Sequence, residues 1–474
     1  MSAPSRFEAV LWIIIPLLVL PILGVLPVPV DVIRAFRDAR SELEEENLGV
    51  VADRLGYLAA RLPWRSGLWE PAALTALQAG DPRTANRYFR QAQTAGRLTL
   101  DGAIAYGDTY WEIGQKRRAL AVWESVAAQI GDNVAVFERL YQAYREQEDY
   151  SRAVDALRQI ARLDPQNAAV QYDLGVLLAA QEPQAALAHL LQAVELDASL
   201  AETVSALEDK LVISVNGADA AYVFLNAGRA LGFVGEWNLA VEAFERAVQE
   251  NSAYAEAWAF LGEAQAQTGA DGRDALETAF GLNPESLTVN TLFALYWKRA
   301  QQYDRALVYA EVALGLDPEN PALNAEIASV YDGLGDVNAA LEYYYRATQL
   351  DPQRASYWHL LARYALNNEI QIREIGISAA QQALLLDEND PIALDLLGYA
   401  HYLLNDFSTA ERYLQRAIVI QPDYASAHFH LALVYLLDGK PDLAYESLQT
   451  VLTLAPESSP IATQAQRALS RYFP

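Results

Sequence analysis

Pro284, Pro318 and Pro352, and then Pro422 and Pro456, recur at intervals of 34 residues. A fixed period of that length marks a chain built from one repeated supersecondary unit, which cannot bury its apolar face alone and must stack on its neighbours. Eleven or so copies of the pattern run from about Leu68 to Phe473, so almost no chain is left over for a catalytic domain. Apolar residues make up 52% of the 474 and charged residues 20%, enough apolar material for a continuous core and far from a disordered composition.

Each copy reads as helix, short turn, helix. In the copy that starts at Pro321, Leu323, Ile327 and Tyr331 share one helical face, Gly335 serves as the helix stop and Asp336 as the cap of the next helix. Ala340, Tyr344 and Ala347 line the second helix, which ends at Asp351-Pro352 because proline cannot continue it. Small and large residues recur in phase. Trp258-x2-Leu261-Gly262, Leu394-x2-Leu397-Gly398 and Ala103-x2-Tyr106-Gly107-x2-Tyr110 occupy first helices; Ala119-x3-Trp123, Ala240-x3-Phe244 and Ala410-x3-Leu414 occupy second helices. The small residue lets two helices approach closely, and the large one four positions on fills the gap between successive pairs. These residues resemble the tetratricopeptide repeat. The resemblance implies an all-α fold, an α-α superhelix of about 10–11 helix pairs, with a concave groove lined by the first helix of each pair as the usual ligand face.

The register breaks in places. The turn near Gln181-Glu182-Pro183 looks one residue short, the second helix around Gly272 to Leu282 is about a turn short, and the stretch from Asn367 to Gly376 is about two residues long. Roughly twenty extra residues lie between Leu196 and Tyr222, where Leu207, Leu211 and Ile213 suggest one added helix ending at Asn216-Gly217. The expected organisation is a tail at 1–8, a membrane anchor at 9–30, a helical leader at 31–65, a first sub-array at 66–198, a bend at 199–218, a second sub-array at 219–458 and a capping helix at 459–474.

The anchor rests on the run from Ala9 to Val30, which carries no charge and is long enough at helical rise to cross a bilayer about 30 Å thick. A cleaved signal peptide would have a shorter apolar region and a small-residue cleavage site, and Leu26-Pro27-Val28-Pro29-Val30 offers none. Arg34, Arg37 and Arg40 follow the run and only Arg6 precedes it, a count that favours a cytoplasmic array. Long domains translocate largely regardless of charge, and Glu42 to Glu46 dilute the basic flank. The expectation is a single-pass protein of the cell membrane with an extracytoplasmic array, the cytoplasmic face being the alternative.

A net charge of −26 argues against nucleic acid, which needs concentrated Lys and Arg. The absence of cysteine excludes disulfides, thiolate catalysis and Cys-ligated zinc. Of the five histidines, His428 and His430 lie two apart on a helix and face different ways, and His401 and His428 stand where the repeat usually puts an aromatic. No nucleophile elbow, phosphate loop or dinucleotide fingerprint is present. Neither Glu42 to Glu46 nor Asp387-Glu388-Asn389-Asp390 has the spacing of a calcium loop. The expectation is no enzyme, no cofactor and no metal.

Aligning the copies places Ile392, Tyr399, Tyr402, Leu403, Phe429, Leu433, Leu436 and Leu437 on the groove side of the last two first helices, an apolar stripe suited to an amphipathic helix or extended peptide. Earlier copies place polar residues there, among them Lys298, Arg299 and Arg363, a basic patch suited to an acidic peptide. The Lys and Asn set with which chaperone-binding members of the resembled family hold a peptide carboxylate is not reproduced. The reading is a membrane-tethered scaffold that binds protein partners. The alternatives are an accessory subunit of an envelope polysaccharide, glycosyl-transfer or secretion system and, more remotely, an enzyme with a site in the inserted segment.

Overall fold

The computed structural model describes residues 29–215, 219–456 and 458–473, and all regular structure among them is helical. The expected anchor at 9–30 lies outside the described residues except for Pro29 and Val30, as do the tail at 1–8 and Asn216-Gly217. No helix among the described residues is long and apolar enough to cross a membrane. The chain divides into two compact units between Ala243 and Phe244.

The leader is a pair of packed helices, α1 (Val30–Glu44) and α2 (Leu48–Arg61). A 3-10 turn at Pro63–Leu68 leads into four helix pairs. These are α3 (Trp69–Gln78) with α4 (Pro82–Thr94), α5 (Leu100–Glu112) with α6 (Lys116–Gln129), α7 (Val134–Glu146) with α8 (Tyr150–Leu163), and α9 (Ala168–Leu178) with α10 (Pro183–Leu196). The insertion forms α11 (Ala201–Val215), packed on α12 (Ala220–Phe233), and α13 (Trp237–Glu250) spans the boundary between the units. Within the first unit α13 reaches back in space. Arg145 pairs with Glu236, and Asn238 Nδ2 donates to Glu148 Oε1 at 2.8 Å. The shortfall expected in the turn near Gln181 falls instead in α9, which has 11 residues where α7 has 13.

The second unit continues with α14 (Ala255–Gln267) and α15 (Arg273–Leu282), α16 (Leu287–Arg299) and α17 (Tyr303–Leu316), α18 (Pro321–Leu334) and α19 (Val337–Leu350), α20 (Ala355–Asn367) and α21 (Ser378–Leu386), α22 (Pro391–Leu403) and α23 (Phe407–Ile420), and α24 (Ala425–Leu437) and α25 (Pro441–Leu454). The two-residue excess after Asn367 is taken up by a π-helical turn at Ile372–Ile377, entered through Glu369 and Gln371 at positive φ. α26 (Pro460–Tyr472) closes the stack, burying Ala465 and Leu469 against Ala432, Leu448 and Val451.

Local chemistry explains the punctuation. Gly335 ends α18 at φ 78°, a left-handed position that a side chain disfavours, and the Asp336 carboxylate accepts from the Ala339 N–H at 3.1 Å. The first helix of several copies is also tied to the proline that closes the copy before it. Trp358 Nε1 donates to the Pro352 carbonyl at 2.9 Å, Asn324 Nδ2 to the Pro318 carbonyl at 3.2 Å, and Asn290 Nδ2 to the Pro284 carbonyl at 2.7 Å. His428 takes the same place, its Nε2 lying 2.9 Å from the Pro422 carbonyl. An imidazole standing where other copies carry an indole is thus a structural substitute. Between the helices of a pair, small residues meet large ones: a Cβ on Gly398 would lie 2.4 Å from Leu414 Cγ.

Candidate protein-binding groove

First helices of neighbouring copies touch one another directly, α14 with α16, α20 with α22 and α22 with α24. That side of the second unit is therefore its inner face. In each unit polar rungs join first helices from copy to copy, and four of them link residues 31 positions apart. In the first unit Arg139 forks onto Asp108 at 2.6 and 3.0 Å. In the second, Lys298 Nζ donates to Ser329 Oγ at 3.1 Å, His359 Nε2 lies 2.5 Å from Asp390 Oδ2, and Ser426 Oγ donates to Asp395 Oδ2 at 2.9 Å. Others keep nearly the same spacing: Tyr141 OH donates to Asp173 at 2.8 Å, and Ser286 Oγ to Glu256 at 2.9 Å. Burial first, and the Asp173 charge second, push the Tyr141 phenol up to about 12.

The densest rung surrounds Asp395, which is 2% exposed. His430 Nδ1 lies 2.7 Å from its Oδ1, and the His430 ring stacks on Tyr399 with centroids 4.4 Å apart. Tyr424 stands beside the same carboxylate, and burial followed by the Asp395 charge pushes its phenol up. Asp390 caps α22 as well as pairing with His359, accepting from the Ile392 and Ala393 N–H groups at 2.9 and 3.1 Å. Burial works against the Asp390 charge, but the His359 bond and those N–H groups outweigh it and hold the carboxyl below its usual value. Two further histidines have partners of their own: His189 meets Gln171 at 2.7 Å and His401 meets Asp406 at 3.2 Å. No group of three metal-ligating side chains occurs among the described residues.

The residues expected in the groove differ in how far they are covered. Ile392, Tyr399 and Leu403 are half-buried against the cluster around Leu361, Leu396 and Leu397. Tyr402 and Leu436 pack against the cluster around Leu431, and Phe429 packs against the cluster formed with α26. Leu433 is half-buried, and Leu437 is 55% exposed. Of the expected basic residues, Lys298 also lies 2.5 Å from Glu326, and Arg299 forks onto Glu263 at 2.8 and 2.5 Å. Arg363 is exposed and has no carboxylate partner among the described residues. Sequence reasoning missed the rungs. Their signal was available: complementary polar residues recur at one period less three once the copies are aligned.

Two family models, both described as tetratricopeptide repeat, match the chain. One matches residues 299–364 and the other residues 139–201, 225–279 and 396–459, together just over half of its length. Among solved structures, the chain is similar to a chain of the APC/C hetero-tetramer Cut9-Hcn1 at 16% identity, over 93% of this chain and 96% of that one, with a TM-score of 0.40. It is similar to a thermophilic TPR protein of Thermus thermophilus at 22% identity, over 39% of this chain and 100% of that one, with a TM-score of 0.34. It is also similar to pilF of Pseudomonas aeruginosa at 17% identity, over 46% of this chain and 98% of that one, with a TM-score of 0.36. No curated protein matches the chain.

Proposed function

The chain belongs to the tetratricopeptide-repeat family, whose members mediate protein–protein interactions, and from that premise we propose that it is a scaffold binding a protein partner along the inner face of its second unit, tethered to a membrane through residues 9–30. The observation that carries the reading is the stripe on α22 and α24. Tyr399, Tyr402, Leu403, Leu433 and Leu436 stay only half-buried, Leu437 is exposed, and the polar rungs beneath hold the two helices in one geometry. A preformed apolar face loses little further conformational freedom on binding, which is how a groove of this kind gains affinity for an amphipathic helix. Holding the array at a membrane raises the effective concentration of partners there. An extracytoplasmic array would place this recruitment in the cell envelope.

The test is crosslinking in intact cells followed by detergent pull-down, comparing the native chain with Tyr402→Glu/Leu436→Glu. The variant is expected to lose captured partner while keeping its helical content by circular dichroism. Retained capture sinks the groove assignment. Separately, removing residues 1–30 is expected to move the chain from the membrane fraction to the soluble one, and continued sedimentation with membranes sinks the tether.

A further inference from the structure

A second site lies between second helices of the same unit. Counted back from the closing proline, α17 and α19 each begin 15 residues earlier, at Tyr303 before Pro318 and Val337 before Pro352. α15 begins only 11 residues before Pro284, at Arg273, with Gly272 packed directly on Gly262. It therefore lacks one turn at its start. A notch of about 480 Å³ opens between α15 and α17, near the size of a small ligand pocket, with Phe280, Phe293, Trp297 and Tyr309 in its walls and Arg273 and Arg305 beside them.

The polar chemistry of this notch is unusual for a chain with a net charge of −26. Two guanidiniums lie over one indole, the Arg305 Cζ 4.5 Å and the Arg273 Cζ 5.5 Å from the Trp297 ring centroid. Arg273 is paired with Glu277 at 2.7 Å, the acidic side chain in the lining, while Arg305 has no carboxylate partner among the described residues. Trp297 is 5% exposed, and its indole N–H is buried without an acceptor. The indole N–H is sealed from the notch, so the group that faces it is Arg305, an exposed guanidinium held against the indole, which favours an acceptor that carries negative charge. The rim residue Val308, 59% exposed, adds apolar surface next to the cation.

We propose that this notch binds an acidic peptide segment, taking a carboxylate side chain at Arg305 and a neighbouring apolar side chain against the aromatic wall. Arg305 is already ordered by stacking on the indole, so little side-chain freedom remains to be lost when it pairs. The site is separate from the inner-face stripe, and its failure would leave that reading untouched.

The experiment titrates the full chain in detergent micelles with a fluorescein-labelled Phe-Glu-Phe-Glu-Phe peptide, read by anisotropy. Saturable binding is expected, weakened about tenfold or more by Arg305→Gln, by Val308→Glu, and by replacing the peptide's Glu with Gln. Tyr402→Glu/Leu436→Glu is expected to leave it unchanged. Both notch substitutions are at exposed positions, and unaltered circular dichroism confirms that the variants fold. No saturable binding, or equal binding by Arg305→Gln, overturns the proposal. So does phenylacetate alone binding as tightly as the peptide, which would make this a small-carboxylate site.

Discussion

His430 on α24 and Asp395 on α22 meet at 2.7 Å across the seam between the last two complete copies, with the carboxylate almost wholly out of water. The same carboxylate accepts from Ser426, so one buried charge organises both helices that carry the apolar stripe. A buried charge is tolerated only when hydrogen bonds replace its lost hydration, and removing the acceptor strands the groups that faced it.

Asp395→Ala is accordingly expected to destabilise the second unit by about 2–4 kcal/mol, and Asp395→Asn by less, since the amide keeps the shape and part of the bonding. Urea unfolding followed by circular dichroism measures this. An unchanged midpoint for the alanine variant would show that the rung contributes nothing to stability.

Asp390 predicts a dependence on pH. Its carboxyl titrates lower in the folded chain than in the unfolded one, so the stability it provides is fully present above the unfolded value, roughly pH 4, and is lost as pH falls through the folded value. Asn caps helices about as well as Asp, so Asp390→Asn removes the charge-assisted bond to His359 while keeping the cap. The variant should be less stable by about 1–2 kcal/mol at pH 7, with the two stability curves converging as pH falls through the folded value of the Asp390 carboxyl. A constant difference across that range would assign the effect to packing instead.

Two glycines should respond in opposite directions to the same substitution. At Gly398 an added Cβ would stand 2.4 Å from Leu414 Cγ, so Gly398→Ala forces the two helices of the pair apart at a cost of about 1–3 kcal/mol. At Gly315, inside α17, nothing lies within 4 Å, and Gly315→Ala should raise stability by about 0.5–1 kcal/mol through helix propensity alone. Thermal melts of the two variants side by side give the comparison, and a shift of the same sign in both would refute the close-approach account.

Much of the fold was legible because its signals are local and periodic. Glycine and aspartate at a turn, as at Gly335-Asp336, and proline at a helix end, as at Pro352, act on the few residues around them, and the recurrence at 34 residues multiplied each weak signal. The late start of α15 and the excess after Asn367 were visible as departures from that count. How the chain absorbs them was not: the excess becomes a π-helical turn, and the shortfall near Gln181 falls in α9 instead of the turn. His428 was recognisable as a stand-in for an aromatic residue, but its bond to the Pro422 carbonyl was not.

The sequence by itself determined the class of the protein, because a repeated amphipathic pair has only its neighbour against which to bury its apolar face. It also gave an expectation of which residues line the inner face. Tertiary structure decided which of them remain free. Lys298 and Arg299 are neutralised by Glu326 and Glu263, Arg363 is left exposed without a carboxylate partner among the described residues, and the stripe from Ile392 to Leu437 is part seam and part surface. Periodicity fixes the direction a side chain takes from its own helix. Whether it meets a partner there depends on the next copy, and on distances that no single copy contains.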